Sequence, residues 1–187
     1  GTNTCDVIGL TNGTSYFFRV VATDTAGNTA AAADSAAVTP AGRPTTPGTP
    51  TAVRGDSSAT VTWAASSPNG SVVTGYTVTS NPSSLTCTTT TALTCTVTGL
   101  TNGTSYTFSV VATNAVGNST ASADSNAVTP AKAPDIPTGV TAVRDNASAS
   151  VSWTAPANNG EAITNYRVTS SPGGFICNSA TSPCVVT

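Results

Sequence analysis

The sequence repeats itself at an offset of ninety residues. Cys5 to Pro40 reads CDVIGLTNGTSYFFRVVATDTAGNTAAAADSAAVTP, and Cys95 to Pro130 reads CTVTGLTNGTSYTFSVVATNAVGNSTASADSNAVTP, without a gap. The same offset carries TAVRGDSSATVTW, ending at Trp63, onto TAVRDNASASVSW, ending at Trp153. It also carries Tyr76 onto Tyr166 and Cys87 onto Cys177; one residue is then lost, so Cys184 answers Cys95. A fixed period means one structural unit used several times. It divides the chain into the C-terminal half of one module at 1–40, a complete module at 41–130 and the N-terminal half of a third at 131–187.

The chain starts at Gly1 and contains no Met, as expected of a piece of a longer product. No apolar run approaches the ~18 residues needed to span a bilayer. Between the modules lie PAGRPTTPGTP, Pro40 to Pro50, and PAKAPDIP, Pro130 to Pro137. Proline at this density predicts extended, semi-rigid spacers that hold modules in line.

Within the complete module, Thr60-Val61-Thr62-Trp63 and Gly75-Tyr76-Thr77-Val78-Thr79 alternate polar and apolar, as half-buried strands do. Leu85 to Cys87 and Leu93 to Val97 give two further runs, and Pro68-Asn69-Gly70 and Asn102-Gly103 punctuate them. Tyr106, Phe108, Val110 and Ala112 share one face of the next run, and the stretch to Val128 is expected to close the module as a last strand. No stretch has helical period. Seven short strands with frequent turns predict an all-β, antiparallel sandwich.

The module resembles a bacterial-type fibronectin type III repeat. The resemblance rests on Pro50-Thr51-Ala52-Val53 at its start, Trp63, Tyr76, and Gly99-Leu100-Thr101-Asn102-Gly103-Thr104-Ser105-Tyr106. It implies tandem immunoglobulin-like sandwiches of seven strands. It also implies core roles for Trp63 and Tyr76, repeated as Trp153 and Tyr166. A corner pinning the crossing between sheets would be made by Leu100 with Tyr106, and by Leu10 with Tyr16. Such motifs specify a fold and say little about activity.

The five cysteines are Cys5, Cys87, Cys95, Cys177 and Cys184. With no His in the chain and no CxxC pairs, zinc sites are not expected, and disulfides in an oxidising compartment are. Cys87 with Cys95, and Cys177 with Cys184, would each staple two successive strand segments, at about 2.5 kcal/mol per short loop. Cys5 matches Cys95 and has its expected partner upstream.

Only 7% of the chain is charged and the net charge is −2. There is no basic patch, so no nucleic-acid partner is expected. A surface of Thr, Ser, Ala and Asn fits association with neighbours or a matrix, and equally a secreted protein carrying sugar. No cofactor, metal or catalytic residues are expected: there is no His base, no phosphate loop, no paired carboxylates and no gathered calcium ligands. Arg54-Gly55-Asp56 spells a known adhesive tripeptide, but the next copy reads Arg144-Asp145-Asn146, and a plain turn is the simpler reading. Sequons stand at Asn12, Asn69, Asn102, Asn118 and Asn146. The single Lys132 rules against repeated isopeptide cross-links.

The expectation is therefore an extracellular or cell-surface rod, stalk or filament without catalysis. Its partners would be neighbouring copies of the same repeat, or extracellular glycan. Residues 131–187 could even complete residues 9–40 of a next subunit. The alternatives are spacer modules of a secreted polysaccharide-degrading enzyme, and an adhesin stalk.

Overall fold

The computed structural model describes residues 3–187; Gly1 and Thr2, at the head of the 1–40 stretch, lie outside the described residues. Among the described residues every regular element is a strand. The first stretch contributes a hairpin, β1 (Val21–Thr23) with β2 (Thr29–Ala31), and an antiparallel bridge from Tyr16 to Val38.

The central stretch folds into two antiparallel sheets. β3 (Thr51–Arg54), β4 (Ser58–Thr62), β5 (Val73–Asn81), β6 (Thr86–Thr89), β7 (Thr94–Thr98), β8 (Thr107–Asn114) and β9 (Gly117–Asn118) follow in order. One sheet is ordered β3-β4-β7 and the other β6-β5-β8-β9. Strand alternation decides which side chains fill the space between them. Val61 from β4, Val78 from β5, Val97 from β7 and Phe108, Val110 and Ala112 from β8 are fully buried there. Trp63, Tyr76, Leu100 and Tyr106 close the same cluster.

The third stretch repeats the beginning of this plan. β10 (Thr138–Asp145), β11 (Ser148–Thr154) and β14 (Cys184–Val186) form one sheet, and β12 (Tyr166–Thr169) pairs with β13 (Ile176–Ser179). Its inner face is open: a groove of about 380 Å³ runs over Val140, Val151, Trp153, Ile163 and Tyr166.

The structure corrects two expectations. The stretch from Pro40 to Pro50 is not a spacer standing between modules. Pro44, Pro47 and Pro50 are buried against the central sandwich, one every third residue. A polyproline II segment has three residues per turn, so this spacing lays all three rings on one side. In this stretch the prolines form a packed strap rather than a free rod, whereas the equivalent Pro134 and Pro137 of the second stretch are exposed.

The run closing the central module is also not an ordinary strand. The backbone amides of Ser119, Ser122, Ser125 and Val128 donate to the carbonyls of Ala112, Val110, Phe108 and Tyr106. Three residues of the closing segment thus advance past two residues of β8. The amides of β8 that this mismatch would orphan are taken by side chains. Ala112, Val110 and Phe108 donate to the Oγ atoms of Ser119, Ser122 and Ser125 at 2.9–3.1 Å. Each serine hydroxyl then donates to the carbonyl of the residue after it. Buried polar groups must be paired, and here one serine per three residues satisfies the requirement.

Candidate functional site

Disulfides join Cys87 to Cys95 and Cys177 to Cys184. Cys87 lies on β6 and Cys95 on β7, which belong to different sheets, so the short loop staples one sheet to the other. Cys177 on β13 and Cys184 on β14 do the same. Cys5 is exposed and unbonded among the described residues.

Trp63 and Tyr76 pack as a tilted pair at 5.5 Å between ring centroids, and Trp153 and Tyr166 at 5.1 Å. The Tyr76 hydroxyl accepts the Ser66 amide at 3.1 Å. At the corner the Tyr106 hydroxyl accepts the Thr101 amide at 3.1 Å, five residues back. The Tyr16 hydroxyl accepts the Thr11 amide at 2.9 Å in the same way. Leu100 is buried beside Tyr106, whereas Leu10 and Tyr16 are half-buried. Trp63, Tyr76, Leu100 and Tyr106 belong to the buried cluster of the central stretch, whereas of their repeat counterparts only Trp153 is buried. Among the described residues no group of three or more potential metal ligands is gathered, and no helix is long and apolar enough to cross a membrane.

What the structure brings together instead is a joint on the two sides of each proline-rich strap, and it does so twice with one set of contacts. In the first joint the Gly13 amide donates to the Pro40 carbonyl at 2.9 Å, and the Gly42 amide to the Asn69 carbonyl at 2.8 Å. Asn69 Nδ2 returns a bond to the Arg43 carbonyl at 2.9 Å, and the Thr45 amide reaches the Ser67 carbonyl. In the second joint the donors are Gly103, Lys132, Asn159 Nδ2 and Asp135, and the acceptors are the carbonyls of Pro130, Asn159, Ala133 and Ala157. Every member is displaced by the repeat offset of ninety.

The loops meet through glycine. Gly70 has φ +86°, and a Cβ there would press on the Pro40 carbonyl oxygen and lie 2.7 Å from the Gly13 nitrogen. Gly160 has φ +103°, and its Cβ would lie 2.7 Å from both the Gly103 nitrogen and the Pro130 carbonyl oxygen. Only glycine accepts both the left-handed backbone and the contact. Asn114, buried at the end of β8, ties this region to its module. Its Nδ2 reaches the carbonyls of Gly42, Pro68 and Ser71, and its Oδ1 accepts the amides of Val116 and Gly117.

Sequence reasoning missed the joint. The signal available was that Asn69-Gly70 and Asn159-Gly160 sit at the same repeat position, as do Asn12-Gly13 and Asn102-Gly103. Read as turn residues, they gave no hint that the two kinds of turn would touch.

The second joint also gathers charge. Arg54 pairs with Glu161, and Lys132 approaches Asp135 at 3.5 Å. Where the second joint has Lys132, Asp135 and Glu161, the first has Gly42, Thr45 and Ser71. The adhesive-like tripeptide is engaged within the chain: Arg54 faces Glu161, and Asp56 accepts Asn102 Nδ2 at 2.8 Å. The Asn102 amide holds the Asp56 carboxyl below its ordinary range, helped by the Ser57 hydroxyl and the Lys132 charge. A depressed carboxylate contributes stability above the unfolded value of ~3.9 and loses it as pH falls through the folded value. Acidification below the ordinary carboxylate range is therefore expected to loosen the loop carrying Gly103. An NMR titration checks this. The Gly103 amide should shift with Asp56, and an Asp56→Asn variant should remove that response.

The sequence has known counterparts. The family model described as the fibronectin type III domain matches residues 45–128. Chitinase A1 of Niallia circulans is 44% identical over 133 residues, which cover 67% of this chain and 18% of that protein. Exoglucanase B of Cellulomonas fimi is 34% identical over 168 residues, 81% of this chain and 15% of that protein. The chain thus spans less than a fifth of the length of either relative. Among solved structures, the FN1-FN3 domains of chicken CNTN1 align at 20% identity and a TM-score of 0.46, over 77% of this chain and 56% of that one.

Proposed function

Because residues 45–128 belong to the fibronectin type III family, a non-catalytic module, we propose that this chain is a stiff structural segment of a longer extracellular protein. Its modules are divided at 1–40, 41–130 and 131–187, and they succeed one another at a fixed angle. The observation that carries this reading is the joint. Two junctions ninety residues apart use the same backbone and asparagine hydrogen bonds, and only Ala41 and Ala131 separate the bonded ends of each strap. A flexible tether would need neither a glycine-to-glycine approach nor a buried asparagine anchoring the strap. The two disulfides support an oxidising, extracellular setting. The partners in such a rod are neighbouring modules of the same kind, met end to end.

A distance distribution between spin labels on the outer strands of successive modules tests it. A single narrow distance is the expected result; a broad distribution would mean a loose tether and would sink the proposal. Gly70→Ala should broaden the distance across the first joint and leave the second unchanged, because the added Cβ collides with the Pro40 carbonyl.

The two curated relatives favour a more specific placement: the segment serves as a spacer in a secreted polysaccharide-degrading enzyme, keeping a catalytic domain apart from another part of that protein. The filament reading differs in what flanks the repeats. Peptide sequencing of the intact native polypeptide separates them. Peptides of an unrelated domain support the enzyme spacer, and an unbroken array of repeats supports a rod or filament.

A further inference from the structure

The sequence contains four Asn-Gly steps, and all four lie in the two joints: Asn12-Gly13 against Asn69-Gly70, and Asn102-Gly103 against Asn159-Gly160. This dipeptide has a particular chemistry. Glycine has no side chain to hinder its backbone nitrogen, which can attack the Cγ of the preceding asparagine. The new N–Cγ bond closes a succinimide, the Cγ–Nδ2 bond breaks, and the side-chain nitrogen leaves as ammonia. Water then opens the ring at either carbonyl, giving aspartate or isoaspartate. No oxidant or reductant takes part, and water is the only co-reactant.

We propose that each joint is a one-way latch, in which closure protects its Asn-Gly steps and deamidation after opening prevents it from closing again. The closed joint engages each step with a bond specific to it. The Gly13 and Gly103 nitrogens, which must act as nucleophiles, donate to Pro40 and Pro130 at 2.9 Å. The Asn69 and Asn159 side-chain amides, which must turn toward the following backbone nitrogen, are tied to the carbonyls of Arg43 and Ala133 at 2.9 Å. The two bonds lie on either side of Ala41, and of Ala131, so opening means lifting the strap from both of its neighbours, which releases both kinds of restraint together.

The product does not fit the site it came from. Asn69 Nδ2 is a donor facing the Arg43 carbonyl oxygen; a carboxylate there sets an acceptor against an acceptor. At position 159 the mismatch is larger, because Asn159 Nδ2 also donates to Asp135 Oδ1 at 3.1 Å. Deamidation would place two carboxylates side by side. The isoaspartate route adds a methylene to the backbone at residues held at φ +53° and +54°. Either product removes the bond that clamps the strap. The latch needs closed joints and is independent of whether the longer protein is an enzyme or a filament.

Ageing the intact chain at mildly alkaline pH, with site-by-site mass spectrometry that separates isoaspartate, provides the test. In native buffer Asn12 and Asn102 should deamidate about tenfold more slowly than in denaturant, a protection of ~1.4 kcal/mol. Gly160→Ala, which presses on the Gly103 nitrogen, should raise the Asn102 rate toward the denatured value while Asn12 keeps its native rate. Asn69→Asp should broaden the spin-label distance across the first joint only, and Asn159→Asp across the second only. If Gly160→Ala does not fold, the native-against-denatured comparison and the Asn→Asp pair still decide. Equal native and denatured rates, or unchanged distances in both Asn→Asp variants, overturn the latch. A broad distance in the unmodified chain overturns instead the rigid segment on which the closed state rests.

Discussion

Phe108→Ala should destabilise the central module by about 3–5 kcal/mol, the upper range for truncating a core side chain. Phe108 is fully buried near the start of β8, between the two sheets, and its ring is among the largest side chains with no exposure. Removing it costs the transfer of the ring out of water and leaves a cavity that a close-packed core cannot refill. For a domain near this size the melting midpoint should fall by roughly 12 °C or more. Differential scanning calorimetry checks it, with the transition of the central module followed by Trp63 fluorescence. Trp153→Ala in the third stretch provides the contrast. Its groove is open and Tyr166 is only half-buried, so the same kind of truncation removes fewer contacts. A drop for Phe108→Ala below about 0.5 kcal/mol, the level of ordinary surface changes, would mean that the two sheets do not close over the ring.

The second large effect is the loss of the inter-sheet staple. Replacing Cys87 and Cys95 together by Ala should lower stability by about 2.5 kcal/mol, from the closed-loop entropy of an eight-residue separation. The denaturant midpoint should drop with little change in slope if both sheets still form. Reduction of the unmodified protein should reproduce the drop, and the double variant should then be insensitive to reductant. If reductant destabilises the variant as much as the parent, the staple is not the source of the effect. Both cysteines are half-buried and packed against the core cluster, so lost packing adds to the lost cross-link.

Much of this fold could be read directly from residues. The alternation in Tyr106-Thr107-Phe108-Ser109-Val110-Val111-Ala112 identifies an inward face, and the repeat offset locates the modules. Pairs of cysteines eight and seven apart could be read as local bridges, but not as bridges between sheets. That depends on β6 pairing with β5 and β7 with β4, in different sheets, which no local pattern records. The proline strap misled because proline density fixes backbone shape and not whether that shape lies on a surface. Pro44, Pro47 and Pro50 carry the period of three, yet only the sandwich beneath them makes it a packing pattern. The joint was least legible. Its contacts span long separations, such as Gly13 to Pro40 and Gly42 to Asn69, and most run through backbone atoms that every residue has. Ser119, Ser122 and Ser125 were visible as residues, but a three-to-two register has no counterpart in the two-residue period used to find strands.

That closing segment bears on how such chains behave when crowded. Sheet edges invite strands of other molecules, and proteins commonly guard them with lysine or other charges. This chain has one lysine and few charges of any kind. It guards one side of each sheet of the central sandwich with neutral groups. The serine hydroxyls occupy the β8 amides on one sheet. On the other, the Asn126 side chain accepts the Ala52 amide and donates to the Ala52 carbonyl, covering the outer edge of β3 at its centre. Modules protected in this way can lie close together without electrostatic repulsion and without fusing into continuous sheet. A dense, nearly uncharged layer of such chains would therefore stay a collection of separate molecules.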